Sequence, residues 1–302
     1  MEIGFVGLGK MGMNMVERLR RDNHQIVAFD LDAAKLKEVS ALGARGVGSL
    51  KELIAGLKAP RAVWVMVPAG DPTEKTIQQL AELLQPGDTI IDGGNTNFHD
   101  DVRRAAELDK KKLHHIDAGT SGGVWGLKVG YCLMIGGEED IFRRYEPIFK
   151  TLAPPDGYGY MGGHGAGHYV KMVHNGIEYG LMQAYAEGFE VMHKSDYKLD
   201  LPKIAKLWGQ GSVVRSWLLE LAASALARDP GLDQIKGYVV DSGEGRWTVL
   251  DAIEKDVNMP IITMSLFTRF RSRVDKGAEG TFGEKLLAAL RNEFGGHAVV
   301  KN

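Results

Sequence analysis

Two short stretches of the chain carry residue types whose spacing can do chemistry. The first is His168-Tyr169-Val170-Lys171-Met172-Val173-His174-Asn175-Gly176-Ile177-Glu178-Tyr179. Lys171, His174, Asn175, Glu178 and Tyr179 recur at i, i+3, i+4, i+7 and i+8, the spacing that ordinarily builds the apolar stripe of a helix. All five are polar or ionisable, while Val170, Met172, Val173 and Ile177 still give the helix apolar surface to bury. A polar stripe beside an apolar one predicts a helix lining a cleft. Lys171 and Glu178 lie two turns apart, about 10.5 Å along the axis, so they can serve opposite ends of one small substrate. A lysine desolvated near a second cation can act as a general base, and a carboxyl held in a partly apolar cleft as a general acid.

The second stretch is Gly7-Leu8-Gly9-Lys10-Met11-Gly12, which follows an apolar run, opens a helical pattern and precedes a second strand ending at Asp30, 18 residues beyond Gly12. In that context GxGxxG is a dinucleotide fingerprint. Gly7 permits the turn, Gly9 lets backbone approach a pyrophosphate, Gly12 lets helix and strand pack closely, and the helix N-terminus offers N–H donors. Asp30 suits the adenosine ribose hydroxyls, and the neighbouring Leu31 and Asp32 offer nothing to a 2′-phosphate. NAD is therefore expected rather than NADP, unless Asp30 merely caps the helix that follows. A third cluster, Asp117-Ala118-Gly119-Thr120-Ser121-Gly122-Gly123, presents successive backbone N–H groups beside a hydroxyl, suited to carboxylate or phosphate oxygens. Asp92-Gly93-Gly94-Asn95 ends a strand where open sheets bind ligands.

These residues need a frame. From Met1 to about residue 161, short apolar runs (EIGFVGLG, QIVAFD, RAVWVMVP, DTIIDGG, LHHIDAG, YCLMIGG) alternate with helical patterns such as 11–22, 33–42, 73–84 and 138–152. The alternation predicts an α/β, Rossmann-type, doubly wound parallel sheet. Beyond about Gly165 only helical patterns remain, at 166–194, 202–208, 215–228, 247–257, 261–274 and 283–293, which predicts an all-α second domain. The glycine- and proline-rich segment 153–167 reads as the connection, giving a cofactor-binding domain over 1–164 and a helical substrate and dimerisation domain over 165–302.

Composition narrows the partners. The chain has 302 residues, 37 Lys and Arg against 39 Asp and Glu, and a net charge of -2, which leaves no electrostatic footprint for nucleic acid or an anionic membrane. No apolar run approaches the ~18 residues of a membrane span and the start lacks a signal-peptide pattern, so a cytoplasmic protein acting on small molecules is expected. Cys132 is the only cysteine and reads as buried filler. His164 and His168 stand in a glycine-rich stretch that makes a poor helix, so no metal site is expected. The 39 glycines exceed the roughly 21 of average usage, and 13 of them fall between Gly119 and Gly167.

With those residues in hand, GLGKMGMN, IIDGGNT, GTSGGVWGLKVGYCLMIGG, GHYVKMVHNGIEYGLMQ and RNEFGGH resemble the signatures of decarboxylating 6-phosphogluconate dehydrogenase in its short bacterial form. The resemblance spans the chain. It implies oxidation of 6-phosphogluconate at C3 and loss of CO2 to give ribulose 5-phosphate, with Lys171 as base and Glu178 as acid. It further implies substrate contacts from Asn95, Ser121, Gly122, Gly123, His174 and Asn175, and phosphate contacts from Tyr179 and Arg269. Val67, Pro68 and Ala69 match a loop crossing the cofactor, beside the Gly7, Leu8, Gly9, Lys10, Met11 and Gly12 turn. Arg291 and His297 match residues that the family supplies from a neighbouring subunit, which implies a homodimer or homotetramer whose C-terminal tail reaches the partner's site. The chain departs from the longer enzymes at Ser242 and Glu244, which stand where the family has phosphate-contacting Lys and Thr, and the contact of this loop, with Arg246, stays unassigned. The alternatives are a non-decarboxylating 3-hydroxyacid dehydrogenase of the related β-hydroxyacid group, which has no use for Glu178 and Tyr179, and a catalytically silent nucleotide sensor.

Overall fold

The computed structural model describes residues 1–275 and 278–302 as two compact units, Met1–Lys171 and Met172–Asn302. In the first, strands β1 (Glu2–Val6), β2 (Gln25–Phe29), β3 (Arg45–Gly46), β4 (Ala62–Val65), β5 (Thr89–Asp92), β6 (His114–Ser121), β7 (Cys132–Gly137) and β8 (Tyr158–Gly162) form one sheet. They lie in the order β3-β2-β1-β4-β5-β6-β7-β8. Helices α1 (Lys10–Arg21), α2 (Ala33–Ala41), α3 (Leu50–Ala55), α4 (Asp71–Leu83), α5 (Phe98–Asp109), α6 (Gly126–Val129) and α7 (Glu139–Leu152) connect them.

Strand side chains alternate between faces, and both faces are apolar. Ile3 and Phe5, Ile26 and Ala28, Ala62 and Trp64, and Ile91 pack into one cluster with Met15, Val16 and Leu19 of α1 and Ile141, Ile148 and Phe149 of α7. Their neighbours Val6, Val27, Val63, Val65 and Ile90 pack into another with Leu53 and Ile54 of α3, Ile77 and Leu80 of α4 and Leu108 of α5. Burial on both sides explains why these strands read as unbroken apolar runs. The chain leaves β1 towards β2 and β3 and returns to β4, so the carboxyl ends of β1 and β4 form the switch point at which such sheets bind ligands.

Two expectations about this sheet are corrected. It is not wholly parallel, because β7 runs antiparallel to β6, with Ser121 opposite Cys132. The joining segment, residues 122–131, is shorter than the dozen or more residues a parallel crossover requires. The segment expected only to connect the domains contains β8, which pairs in parallel with β7.

The second unit is helical, with α8 (Ala166–His193), α9 (Leu201–Trp208), α10 (Trp217–Arg228), α11 (Glu244–Glu254), α12 (Pro260–Arg271) and α13 (Phe282–Gly295). Serine and threonine caps start two of them: Ser216 accepts from Leu219 N, and Thr281 forms a capping box with Glu284. The core joins Met182, Ala186 and Phe189 of α8 to Leu201 and Ala205 of α9, Leu219, Ala222 and Leu226 of α10, and Leu286, Leu287 and Leu290 of α13. Among the described residues of this unit the sole β contact is an isolated bridge, Ile235 to Lys301. No described helix is long and apolar enough to cross a membrane.

The division between the units falls inside α8, after Lys171, and not at 164/165. The reason is local. The Asp117 carboxylate at the end of β6 accepts from the backbone N–H of Gly165 (2.7 Å) and His168 (3.0 Å), which ties the first turn of α8 to the sheet. A Cβ on Gly167 would stand 2.3 Å from Met134 O, and one on Gly119 would stand 2.6 Å from the Lys171 Cβ. Only glycine lets helix and strands approach this closely.

Candidate active site

At the switch point, the turn after β1 is built from backbone. Gly7 has φ +96°, and a Cβ there would stand 2.3 Å from Met66 O. A Cβ on Gly12 would stand 2.1 Å from Gly7 O, whereas one on Gly9 would meet nothing within 4 Å. Gly7 and Gly12 therefore close the turn, and Gly9 faces open space. As the N-cap of α1, Gly9 supplies no side-chain acceptor, and the first turn of α1 carries no acidic residue. Its N–H groups remain suited to an anion. Leu8 is fully buried and its N–H donates to Asp30 Oδ2 at 2.6 Å, while Asp32 N–H donates to Asp30 Oδ1 at 2.8 Å. The helix α2 is capped by Asp32, which accepts from Ala34 N, and not by Asp30. Leu31 is 94% exposed.

Gly7, Gly9, Asp30, Leu31, Val67 and Pro68 line a cavity of about 460 Å³, with Pro72, Lys75, Thr76 and Gln79 of α4 on another side. A volume of this size suits a small-molecule site. The residues thus fit a dinucleotide: an open anion site at the α1 N-terminus, a carboxylate fixed at the end of β2 and an apolar cavity beside it. Lys10 and Ala69 are exposed and Met11 is half-buried.

Strand β6 ends at Ser121, and Gly122 and Gly123 follow with φ +134° and +52°. Asn95 is exposed beyond β5. Lys171, in the second turn of α8, is 7% exposed with its stem against Gly119. Cys132 is a correction: expected as buried filler, it is exposed at the first residue of β7, and its thiol pKa is raised by partial burial, with the Lys171 charge opposing the rise.

Beneath Lys171 lies a buried polar network that the motifs gave no reason to expect. His168 Nδ1 stands 2.7 Å from Asp101 Oδ2, and His115 Nε2 3.8 Å from Asp101 Oδ1, all nearly or fully buried. Burial alone would lower the His168 pKa, but the Asp101 carboxylate reverses this and raises it; His115, without such a contact, is pushed down to about 4 by burial. His168 therefore anchors α8 to α5. It does not pair with His164, whose imidazole lies 3.8 Å from Glu138. In sequence, Asp101 is one of two adjacent acids in FHDDVRR and nothing marks it as buried.

In the second unit, a cluster forms around Tyr179. Arg269, 2% exposed, holds its Cζ 3.3 Å from the centre of the Tyr179 ring and its guanidinium 3.7 Å from Met182 Sδ. Among the described residues it forms no ion pair, and burial brings its pKa down to about 10. Ser242 N–H donates to Tyr179 Oη at 3.2 Å, and a Cβ on Gly245 would stand 2.4 Å from the ring. Arg246 turns away to Asp241 (2.8 Å), which Arg273 also reaches (2.9 Å). Glu178 is half-buried on α8, and His174 Nδ1 lies 3.0 Å from Asn175 Oδ1.

Arg291 lies beside this cluster within its own chain. It is 7% exposed on α13, burial lowers its pKa, and Tyr179, Glu178, Asp241 and Glu244 pull it back up. Phe282, Leu286, Leu287 and Leu290 of the same helix pack into the core of this unit. Beyond it, Gly296 ends the helix in the left-handed conformation, His297 packs edge-on against Phe294, and Lys236 N–H donates to Val300 O.

Residues 2–175 match the model of the NAD binding domain of 6-phosphogluconate dehydrogenase, and residues 167–281 that of the 6-phosphogluconate dehydrogenase C-terminal domain. The chain is 46% identical, over the full length of both, to a Bacillus subtilis protein provisionally named a 6-phosphogluconate dehydrogenase. It is 42% identical to the NAD(+)-dependent, decarboxylating 6-phosphogluconate dehydrogenase of Haloferax volcanii, over 100% of this chain and 99% of that one. Among solved structures, Plasmodium falciparum 6-phosphogluconate dehydrogenase matches with a TM-score of 0.81 and 30% identity, over 90% of this chain and 62% of that one. A Salmonella typhimurium 3-hydroxyisobutyrate dehydrogenase shares the fold at 20% identity and a TM-score of 0.79, over 94% of this chain and 98% of that one.

Proposed function

The chain belongs to the 6-phosphogluconate dehydrogenase family, and from that membership we propose that it converts 6-phosphogluconate to ribulose 5-phosphate and CO2 with NAD as electron acceptor. The observation that carries this reading is Arg269, a buried guanidinium over Tyr179 with no ion pair among the described residues. A buried cation without a counter-ion is costly unless an anion arrives. A sugar phosphate brings that anion in addition to its carboxylate; a simple 3-hydroxyacid has only the carboxylate.

NAD, when bound, accepts the hydride that leaves C3. Lys171 takes the C3 hydroxyl proton in the same step. Protonated, it hydrogen-bonds the 3-keto oxygen and provides the electron sink that lets the C1 carboxylate depart as CO2, returning its proton to the enediol oxygen. Glu178 then protonates the enediol carbon that was C2 of the substrate while Lys171 removes the hydroxyl proton, and a proton passing back to Glu178 resets the pair. Backbone N–H groups at Ser121, Gly122 and Gly123 suit the substrate carboxylate, with Asn95, His174 and Asn175 on its hydroxyls. Tyr179, Arg269 and Arg291 take the phosphate. Asp30, beside an exposed Leu31 that cannot grip a 2′-phosphate, supports NAD over NADP.

Self-association as a homodimer or homotetramer belongs to the same reading, with His297 of the tail offered to a neighbour. Exposed Leu250 and Ile253 on α11 and Ile261, Met264 and Phe267 on α12 support it, because large apolar surface of this kind marks an interface. The proposed location is the cytoplasm. The test compares kcat/KM with NAD for 6-phosphogluconate, gluconate and 3-hydroxyisobutyrate. A preference of about 100-fold or more for the phosphorylated acid is expected; turnover of 3-hydroxyisobutyrate with no response to 6-phosphogluconate would move the chain to the non-decarboxylating group.

A further inference from the structure

Glu244 opens α11 directly beside the Tyr179 cluster, and nothing in the proposed chemistry uses it. Its neighbours fix its place: Ser242 holds the Tyr179 hydroxyl, Gly245 packs on the Tyr179 ring, and Thr248 Oγ1 donates to the Glu244 backbone carbonyl at 2.8 Å. The residue is 2% exposed, and neither carboxylate oxygen has a hydrogen-bond partner among the described residues. Glu244 is thus a buried acid held beside a site built for an anion.

The charges around it can be counted. From α12 comes Arg269 and from α13 Arg291, both buried and, among the described residues, without ion pairs. From α8 come Tyr179 and the half-buried Glu178. From the loop before α11 comes Asp241, which is neutralised by Arg246 and Arg273. While the site holds only protein, the cation that interacts with Glu244 is Arg291, with Arg269 next to it in the same cluster. A phosphate dianion reverses this. It takes over both arginines and leaves a second negative charge buried beside it, and like charges at such a distance cannot both persist in a dry site.

We propose that Glu244 is a proton-accepting specificity residue: a phosphate monoester dianion binds at Tyr179, Arg269 and Arg291 together with one solvent proton, which Glu244 takes up. The neutral carboxyl then donates its O–H to a phosphate oxygen, so the two previously unpartnered oxygens gain a role and no charge is left uncompensated. The proposal rests on reading the Tyr179 cluster as the phosphate end of the substrate site. It makes affinity fall as pH rises, by up to about tenfold per unit in the limit where the free site is fully ionised.

The test is calorimetric titration of the full-length protein with 6-phosphogluconate at pH 8, where the phosphate is already a dianion, in two buffers of different ionisation enthalpy. An uptake approaching one proton is expected in the wild type and none in Glu244→Gln, which keeps a donor but cannot titrate. Glu244→Gln should also bind several-fold more tightly at pH 8, with a flatter dependence of KM on pH; Glu244→Thr serves if that variant misfolds. Binding without proton uptake would overturn the proton coupling while leaving the phosphate reading intact. Weaker binding by Glu244→Gln would overturn it too, because the carboxylate would then be accepting a substrate hydroxyl. No binding of 6-phosphogluconate by the wild type, with NAD binding intact, would remove the phosphate reading and this proposal with it.

Discussion

The dinucleotide turn of the first unit and the Tyr179 cluster of the second both suit phosphate groups, yet they are made of different material. The turn is backbone: Gly7 and Gly12 exist to remove side chains, Gly9 leaves space open, and the donors are N–H groups at a helix start. The cluster is side chain: Arg269 over Tyr179, with Arg291 beside them and the buried Glu244 facing Arg291. A backbone site carries no net charge and asks little of the surrounding core. A side-chain site buries ions and must balance them, so it is the one expected to respond to pH and to single charge changes.

Gly12→Val separates the two regions with the largest expected effect. Its branched side chain cannot fit where a Cβ alone stands 2.1 Å from Gly7 O. The variant should lose NAD binding by at least about 100-fold while its calorimetric affinity for 6-phosphogluconate changes little; equal loss of both would mean the two regions are not independent. Arg269→Met is the reciprocal change. Removing a charge-assisted contact should raise the KM for 6-phosphogluconate by about 10- to 100-fold, with the NAD KM unaltered, as steady-state kinetics would read. Asp30→Ser should cost about tenfold in the NAD-to-NADP ratio of kcat/KM, and an unchanged ratio would relieve Asp30 of its role.

The smallest effect is on stability. In the folded protein His115 has its pKa lowered by burial to about 4 from 6.5. Below 6.5 the unfolded chain binds the extra proton first, so the contribution of His115 is fully present above pH 6.5 and is lost as pH falls towards 4. His115→Gln should flatten that part of the Tm-against-pH curve; a slope equal to that of the wild type would show that His115 does not titrate there.

The same difference explains what could be read from the chain. The backbone site was legible because glycine at fixed spacing, a strand before it and an acid after it are all local. Alternating apolar runs likewise disclosed the sheet, and the polar stripe on one helix disclosed Lys171 and Glu178. The side-chain cluster draws on residues 179, 242–246, 269 and 291, which four separate elements bring together. No local spacing links them, so only the family resemblance named Arg269 and Arg291, and it assigned Arg291 to a neighbouring subunit. The antiparallel turn into β7 escaped because periodicity reports that a strand exists, not its direction. Asp101 and His115 escaped because burial of an ionisable residue depends on partners far along the chain.

The central claim is that Lys171 and Glu178 act on one substrate in an oxidation followed by loss of its carboxylate. The most direct measurement supplies 6-phosphogluconate labelled with ¹³C at C1, together with NAD, and follows NADH by absorbance and labelled CO2 by mass spectrometry in the same reaction. The account predicts equal amounts of the two throughout. NADH formed with the label retained in an acid product would contradict it.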